Sequence, residues 1–423
     1  MDNILIILNE NIEEVYEEAL QFLDEMLRIP TENPPGKNYE QFVQTFEKQL
    51  KNMGYQTDLI EVPQNRMSEL VKFGEGYRAS VVGSKGQGEL RIAFNGHYDV
   101  VPSGAGWEND PYKPVKDGNY IYGRGSSDMK SGLAMQLFSV KLIEKVFPEI
   151  LKKVTFIQTA VPDEETVGNK NAGAYYLVEQ GILSKNNVNF IIYTEPLGSN
   201  NICFGHRGAI FLMVRVKGVK SHGSMPFLGK DAVFYTTKII SKLYDYADSK
   251  SMSITSNYNI IPEGAKKPSL AIGTVKCGTW ANTVADECEF SVYRRLIPEE
   301  KLNDVRSELL NIMNSVEKPN GVELEIDEKY ATDSILENTE NAYYKSLELA
   351  IREVTGKDAN LVLSPGTFDI RFTNAIDVPG LNYGPGTLEQ AHVSNEKLSL
   401  EDFKKSIIIT ALGLYNMALN VYK

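Results

Sequence analysis

Acidic and histidine side chains follow several predicted strands of this chain, and these residue types could hold a metal ion. His97 and Asp99 form a His-x-Asp pair directly after an apolar run, 90–94, that predicts a buried strand. Residues two apart in extended chain point to the same side, so the Asp99 carboxylate is expected beside the His97 ring, where it takes the proton of one nitrogen. The other nitrogen then keeps its lone pair for a metal. Taken alone, a His-x-Asp pair is common by chance, and its plainer interpretation is a buried polar contact at a strand end.

Further carboxylates stand at comparable places. Asp128 precedes an apolar helix, Glu164 and Glu165 end one predicted strand, and Glu195 ends the next. Each has a plainer interpretation, since Asp128 could be only a helix N-cap and adjacent acids are usually solvated. However, strands that alternate with helices at this spacing predict an α/β fold with a mostly parallel sheet. The carboxyl ends of such strands form one crevice, so we expect these side chains and His97 to meet there.

The combined ligand set restricts the metal chemistry. Two imidazoles, from His97 and His392, and three carboxylates suit zinc, cobalt or manganese rather than a thiolate site. Five ligands are too many for one tetrahedral zinc that keeps an open position, whereas two ions that share one carboxylate use all five. The side chains of Glu164 and Glu165 diverge, so one can bind metal while the other acts as a general base.

Composition limits the class of protein. The chain has 423 residues, is 42% hydrophobic and predicts two or three domains with a large core. Its net charge of -12 argues against a nucleic-acid partner and against an anionic membrane surface. The apolar start, 4–8, is too short for a membrane span and lacks the features of a signal peptide, so a cytoplasmic protein is expected. The cysteines, Cys203, Cys277 and Cys288, predict small buried residues without a disulfide framework.

The order of elements changes at residue 209. From there the predicted order is β-α-β-β-α-β, the ferredoxin-like pattern, and the α/β pattern resumes afterwards. We therefore predict a domain inserted into another: residues 1–208 and 331–423 form the first domain, and residues 209–330 form the insert.

Several motifs together resemble a known family. The sequence is similar to the di-zinc amidohydrolases that include acetylornithine deacetylase, succinyl-diaminopimelate desuccinylase, aminoacylase and the glutamate-releasing carboxypeptidases. The resemblance implies a zinc-peptidase-like catalytic domain, with a mixed, mostly parallel sheet and helices on both faces, and an α+β lid and dimerisation domain. The matching motifs are Gly96-His97-Tyr98-Asp99, Asp163-Glu164-Glu165, Thr194-Glu195-Pro196, Ser221-His222-Gly223 and His392.

The resemblance also implies a metal content. Two divalent ions per chain are expected, with zinc as the metal and cobalt or manganese as alternatives. The implied ligands are Asp128 as the bridge, His97 and Glu195 for one ion, and Glu165 and His392 for the other.

The implied reaction is hydrolysis of the amide bond of N-acyl amino acids by a water that the two zinc ions activate. Glu164 would be the general base and Asp99 would orient His97. His222 would donate to the oxyanion in the neighbouring subunit of a homodimer formed through the lid. Substrates of this family carry a carboxylate, which arginine grips bidentately. The candidates to hold it are Arg207, Asn282, Arg294, Gly366, Thr367 and Arg371.

Two other functions stay open at this stage. The same site could serve a dipeptidase or carboxypeptidase, which would act on short peptides instead of N-acyl amino acids. A non-catalytic metal-binding protein would be indicated by a lost ligand or a lost base, and none is lost in this sequence.

Overall fold

The computed structural model describes residues 2–71, 76–166 and 168–419, in which helices and strands alternate. The α-helices are α1 (Asp2–Leu27), α2 (Tyr39–Asn52), α3 (Met67–Leu70), α4 (Lys130–Val146), α5 (Ile150–Lys153), α6 (Ala174–Glu179), α7 (Ala232–Ser253), α8 (Leu302–Asn314), α9 (Ala342–Thr355), α10 (Ile370–Asn374) and α11 (Leu400–Leu419). The strands are β1 (Gln56–Glu61), β2 (Ala79–Lys85), β3 (Leu90–His97), β4 (Val115–Asp117), β5 (Tyr120–Tyr122), β6 (Val154–Val161), β7 (Phe190–Tyr193), β8 (Asn201–His206), β9 (Ala209–Lys217), β10 (Ser221–His222), β11 (Ser269–Ala271), β12 (Val275–Cys277), β13 (Thr283–Val284), β14 (Glu287–Arg295), β15 (Glu323–Thr332), β16 (Ile335–Leu336), β17 (Asn360–Ser364), β18 (Gly380–Asn382) and β19 (Lys397–Ser399).

These elements form two compact units. Unit 1 contains Met1–Gly205, Glu337–Leu361 and Phe368–Lys423, and unit 2 contains His206–Leu336 and Val362–Thr367. The predicted insert, 209–330, lies wholly in unit 2. Its role as a lid and dimerisation domain stays a prediction.

The main sheet of unit 1 has the strand order β1-β2-β6-β3-β7-β18-β8. The four central strands β6, β3, β7 and β18 are parallel neighbours. The strands towards both edges pair antiparallel. The sheet is therefore mixed, as predicted, but its parallel part is confined to the centre. Every residue of β6 and β7 is buried, and successive side chains of a strand point to opposite faces, so both faces of the sheet centre are covered.

Helix α4 is the innermost helix of unit 1. All its residues from 130 to 140 are buried, because it packs against β3, β6, α1 and α11. A helix that is apolar around most of its circumference belongs in a core. Its burial fixes the position of the loop that enters it, which carries Asp128. In the part of the chain that the structure describes, no helix combines the length and apolar character needed to cross a bilayer.

Unit 2 is built on an antiparallel sheet in which β14 and β9 are central, with β15 beside β9 and both β11 and β12 beside β14. Helices α7 and α8 pack on it. The order along the chain is the predicted β-α-β-β-α-β with two departures: the second predicted strand is divided into β11 and β12, and the short strands β10 and β13 pair with each other in a separate two-stranded sheet. In β9, buried side chains alternate with half-buried ones, as expected for a sheet with one face on the core.

The prediction of unpaired cysteines is wrong for two of the three. Cys277 on β12 and Cys288 on β14 lie directly opposite each other and form a disulfide. Their separation of 11 residues along the chain does not reveal this contact, because it depends on the turn that folds β12 back onto β14. Cys203 is buried and is not part of a disulfide, as expected.

Candidate metal centre

The parallel strands bring the predicted ligands to one edge of the sheet in unit 1. His97, the last residue of β3, lies opposite Val161 of β6, and Asn95 lies opposite Tyr193 of β7. The segments that follow β6 and β7 therefore leave the sheet on the same side as His97. This is the crevice at the carboxyl ends of strands where α/β folds place their ligands.

Five side chains form two groups that share one member. His97 Nε2 lies 3.3 Å from Asp128 Oδ1 and 3.6 Å from Glu195 Oε2. His392 Nε2 lies 2.8 Å from Glu165 Oε2 and 3.6 Å from Asp128 Oδ2. Within each group the ligand atoms lie within 4.8 Å of one another. Asp128 turns one carboxylate oxygen towards each histidine, so it stands between the two groups as a bridging ligand would.

The proton positions on His97 suit a cation. Its Nδ1 lies 2.9 Å from the backbone carbonyl oxygen of Asp99, to which the ring N–H donates. In the neutral ring Nε2 then carries a lone pair, and that lone pair faces two carboxylates. Such an arrangement needs a positive charge at its centre, either a proton on Nε2 or a metal ion. Nitrogen and carboxylate donors in this number suit zinc, cobalt or manganese.

The carboxylates repel one another at this edge. Burial, followed by the charge of Glu195, raises the pKa of Glu164 well above its usual value. Burial also raises the pKa of Glu165, and the charge of Asp128 raises it further. Burial raises the pKa of Glu195 as well. Charges that are brought together in a poorly solvated place favour their neutral forms. Divalent cations would remove this penalty, so the residues present fit a pair of metal ions.

Asp99 lies beside the His97 ring, as predicted, but contacts it most closely through its main chain. Its carboxylate Oδ1 lies 3.6 Å from His97 Nδ1, and it is the backbone carbonyl of Asp99 that accepts from the ring. The carboxylate accepts instead from the backbone N–H groups of Glu164, at 3.3 Å, and Glu165, at 3.1 Å. Asp99 therefore fixes the ring through its main chain and the two glutamates through its side chain.

A buried ionic network behind this loop was not predicted from the sequence. Arg78 and Asp163 are almost fully buried and pair at 2.8 Å between Nε and Oδ2. The amide of Asn33 donates to both Asp163 and Asp99, at 2.9 Å each. Asp163 directly precedes Glu164, so the network fixes the start of the loop. The three adjacent acids were the one available signal, but nothing in the sequence links them to Arg78.

Two glycines allow the chain around Glu195 to pack closely. A Cβ on Gly132 of α4 would lie 2.0 Å from the carbonyl oxygen of Thr194, and a Cβ on Gly384 would lie 2.5 Å from that of Glu195. The backbone N–H of Glu195 also donates to the side chain of Asn382 at 2.9 Å. Glu195 is thus held from several directions at the end of β7.

His222 and Asn282 lie together in unit 2. His222 ends β10 and pairs with Thr283 of β13, while the carbonyl of Asn282 accepts from the N–H of Gly223 at 2.7 Å. Both His222 and Asn282 are exposed. The Nδ1 atom of His222 accepts from the N–H of Ser224 at 3.2 Å, which leaves the proton of the neutral ring on Nε2.

Arg207 and Arg294 of unit 2, which were expected to bind a substrate carboxylate, contact other parts of the protein instead. Arg207 is buried, and its guanidinium donates to the backbone carbonyls of Leu296, Lys267 and Arg295. Arg294 is buried as well and pairs with Glu300. Both guanidinium groups are therefore committed to the protein rather than presented to a substrate carboxylate.

The remaining substrate candidates are half-buried. Gly366 and Thr367 belong to unit 2, where the N–H of Gly366 donates to Ser364 Oγ at 3.2 Å. Arg371 belongs to unit 1 and donates to the carbonyl of Gly168 at 3.2 Å.

Comparison with known proteins identifies the family. The model of peptidase family M20/M25/M40 matches residues 93–414, which contain every ligand of the two groups. The chain belongs to this family. It is therefore a hydrolase that acts on amide or peptide bonds, and the resemblance stated from the motifs is confirmed.

The sequence identity between this chain and individual relatives is low. The chain is 25% identical over 420 residues to the probable succinyl-diaminopimelate desuccinylase of Staphylococcus aureus (strain N315), a match that covers 93% of this chain and 95% of that protein. Among solved structures, the dipeptidase Dug1p of Saccharomyces cerevisiae matches with a TM-score of 0.77 at 17% identity over 99% of both chains. The YXEP protein of Bacillus subtilis, described as a dinuclear metal-binding peptidase, matches with a TM-score of 0.65 at 16% identity over 95% of this chain and 98% of its own. These structures support the fold.

Metal affinity should depend on pH. The hydrogen bond to Glu165 raises the pKa of His392 to about 9, so the metal-free protein holds a proton on this imidazole at neutral pH. A metal ion must displace that proton, and affinity should rise by up to about tenfold per pH unit until the pH reaches about 9. Calorimetric titration in buffers of different ionisation enthalpy measures the protons released. His222→Ala, which removes an exposed imidazole, should leave this number unchanged. An affinity independent of pH in this range would show that no proton leaves His392 on metal binding and would contradict its raised pKa.

Proposed function

We propose that this chain hydrolyses the amide bond of N-acyl amino acids, as a deacylase similar to acetylornithine deacetylase and succinyl-diaminopimelate desuccinylase. His97, Glu195, Glu165 and His392 would hold two zinc ions, with Asp128 as a ligand common to both groups. The name of the Staphylococcus aureus relative, a probable succinyl-diaminopimelate desuccinylase, supports this substrate class. A dipeptidase or carboxypeptidase activity would use the same site and is separated from the deacylase by the substrates tested below.

The contrast between two adjacent glutamates carries the proposal. Glu165 accepts from His392 and belongs to one of the two ligand groups. Among the described residues, the carboxylate of Glu164 has no hydrogen-bond or ion-pair partner, and the side chain is half-buried beside those groups. A carboxylate left without a structural partner at the edge of a metal centre is suited to act as a general base.

The chemistry divides between the metal and the protein. A bound pair of divalent cations polarises a carbonyl and lowers the pKa of water. Glu164 takes the proton that the attacking water loses, and it delivers this proton to the nitrogen of the leaving amine. Asp99 holds the backbone of Glu164 in place through its carboxylate.

Substrate tests on the metal-loaded protein distinguish the candidate activities. N-acetyl amino acids, N-succinyl amino acids and dipeptides are to be compared with zinc and with cobalt. We expect a free carboxylic acid and one amino acid as products. Glu164→Gln should lower kcat by about 10²–10⁴-fold, because the amide cannot take up the proton. It should still bind both metal ions, whereas Glu165→Ala should lose affinity for one.

The matched control is Glu17→Gln, which makes the same change at an exposed site and should keep the wild-type rate. Release of two amino acids from dipeptides, with no cleavage of acylated amino acids, would replace the deacylase with a dipeptidase. Retention of most activity in Glu164→Gln would require another base.

We also propose that the chain works as a homodimer in which His222 completes the site of the partner subunit. Its free Nε2–H is a suitable donor for the oxyanion that forms during amide hydrolysis. The segment after His222 exposes three large apolar side chains: Met225 (43%), Phe227 (77%) and Leu228 (61%). Large exposed apolar side chains that lie close together along the chain favour association with another protein surface.

Mixing of two inactive variants tests this arrangement. His222→Ala chains lack the donor, and Glu164→Gln chains lack the base. A mixed dimer has one site with both residues intact, so activity should return towards a quarter to a half of the wild-type value, depending on the extent of exchange. Native mass spectrometry reports whether mixed dimers form. Mixed dimers that form but remain inactive would show that His222 does not act across subunits.

A further inference from the structure

Glu396 is a fully buried acid whose hydrogen bonds all go to the loop before helix α4. Its Oε1 accepts from the backbone N–H groups of Ser127, at 2.8 Å, and Asp128, at 2.9 Å. Its Oε2 accepts from the guanidinium of Arg124, at 2.8 Å, and from the N–H of Gly125, at 2.9 Å. One side chain thus satisfies four donors of a single loop.

The main chain at Glu396 is also bound to the segment that precedes helix α4. Its carbonyl accepts from the N–H of Gly123 at 3.0 Å, and the next residue, Lys397, pairs with Tyr122 in the β19–β5 ladder. Four residues earlier the chain carries His392. The residues from 391 to 395 form turns rather than a helix or strand, and His392 has a positive φ of 64°. Asn395 is half-buried and accepts from the N–H of Glu108 at 2.9 Å, and Glu396 is the first fully buried residue after His392.

We propose that Glu396 is a positioning residue that sets the distance between Asp128 and His392, and that it thereby makes the site competent to bind both cations. It joins the segment that carries the bridging carboxylate to the segment that carries a histidine ligand. This inference rests on the proposed two-metal site. Glu396 itself does not contact the substrate or a metal in this role.

The physical reason lies in the geometry of the donors. A buried carboxylate without partners is costly, and so are three buried N–H groups without an acceptor, so each side of this contact requires the other. Hydrogen bonds to an ionised acid are short and directional. They fix the peptide of Asp128, and Asp128 must turn one oxygen towards each of two histidines. A small rotation of that peptide would move both oxygens at once.

Glu396→Gln is the informative variant because it keeps the shape of the side chain. Its amide NH₂ must face one of the two pairs of donors, so that pair loses its acceptor. We expect the affinity for both metal ions to fall by about tenfold or more, which is the usual effect of losing a partner that supports metal ligands. Calorimetric titration of chelator-treated protein measures this directly. At limiting metal kcat should fall with little change in KM, and excess metal should restore part of the loss.

A matched control separates positioning from general destabilisation. Glu300 is also a glutamate that pairs with an arginine, its side chain is only 7% exposed, and it lies in unit 2. Glu300→Gln should lower thermal stability but keep the wild-type metal affinity. Wild-type affinity in Glu396→Gln, or a loss no greater than in Glu300→Gln, would overturn the proposal.

Glu396→Asp provides a second measurement that does not depend on the folding of the first variant. It keeps the charge but shortens the side chain, so its metal affinity should lie between those of the wild type and Glu396→Gln. If Glu396→Gln does not fold, wild-type affinity for both ions in Glu396→Asp overturns the role. A wild-type protein that itself fails to bind two ions would instead overturn the proposed function, so the two failures are distinguishable.

Discussion

The concentration of negative charge at the carboxyl ends of the central strands is the constraint on which the rest of unit 1 depends. Asp128, Glu164, Glu165 and Glu195 lie together, and their only cationic counterparts in the two ligand groups are imidazoles. Burial raises the pKa of three of these acids, so the protein alone does not balance the charge well. Two divalent cations would supply the missing positive charge. The fold therefore prepares a site whose full stability requires its metal.

The loops that carry these carboxylates must be held in fixed positions, and residues outside the two ligand groups hold them there. Asp99 and the Arg78–Asp163 pair fix the loop of Glu164 and Glu165, and Glu396 fixes the loop of Asp128. A buried ion pair adds little net stability, but removal of one partner is destabilising by about 3–5 kcal/mol. These contacts therefore contribute more to the precision of the site than to the stability of the fold.

The sequence predicted that His97 and Glu195 lie together, because strand ends in an α/β sheet share an edge whatever the conformation of the loops. It failed where contacts depend on loop conformation or on distant segments. The carboxylate of Asp99 was predicted beside His97 and lies 3.6 Å from Nδ1, but the ring N–H donates to the backbone carbonyl of Asp99, which the turn after β3 presents to it. Arg207 was expected at a substrate, but three backbone carbonyls occupy its guanidinium. The Cys277–Cys288 contact likewise depends on a hairpin register that composition does not encode.

The most direct test of the account is a titration of the chelator-treated wild-type chain and of Asp128→Ala with zinc or cobalt. If Asp128 bridges two ions, the wild type should bind two per chain, and loss of this one carboxylate should weaken both binding events. Calorimetry, checked by elemental analysis, gives both numbers. A wild-type protein that binds one ion or none, or an Asp128→Ala protein in which one binding event stays at wild-type affinity, would contradict the two-metal centre.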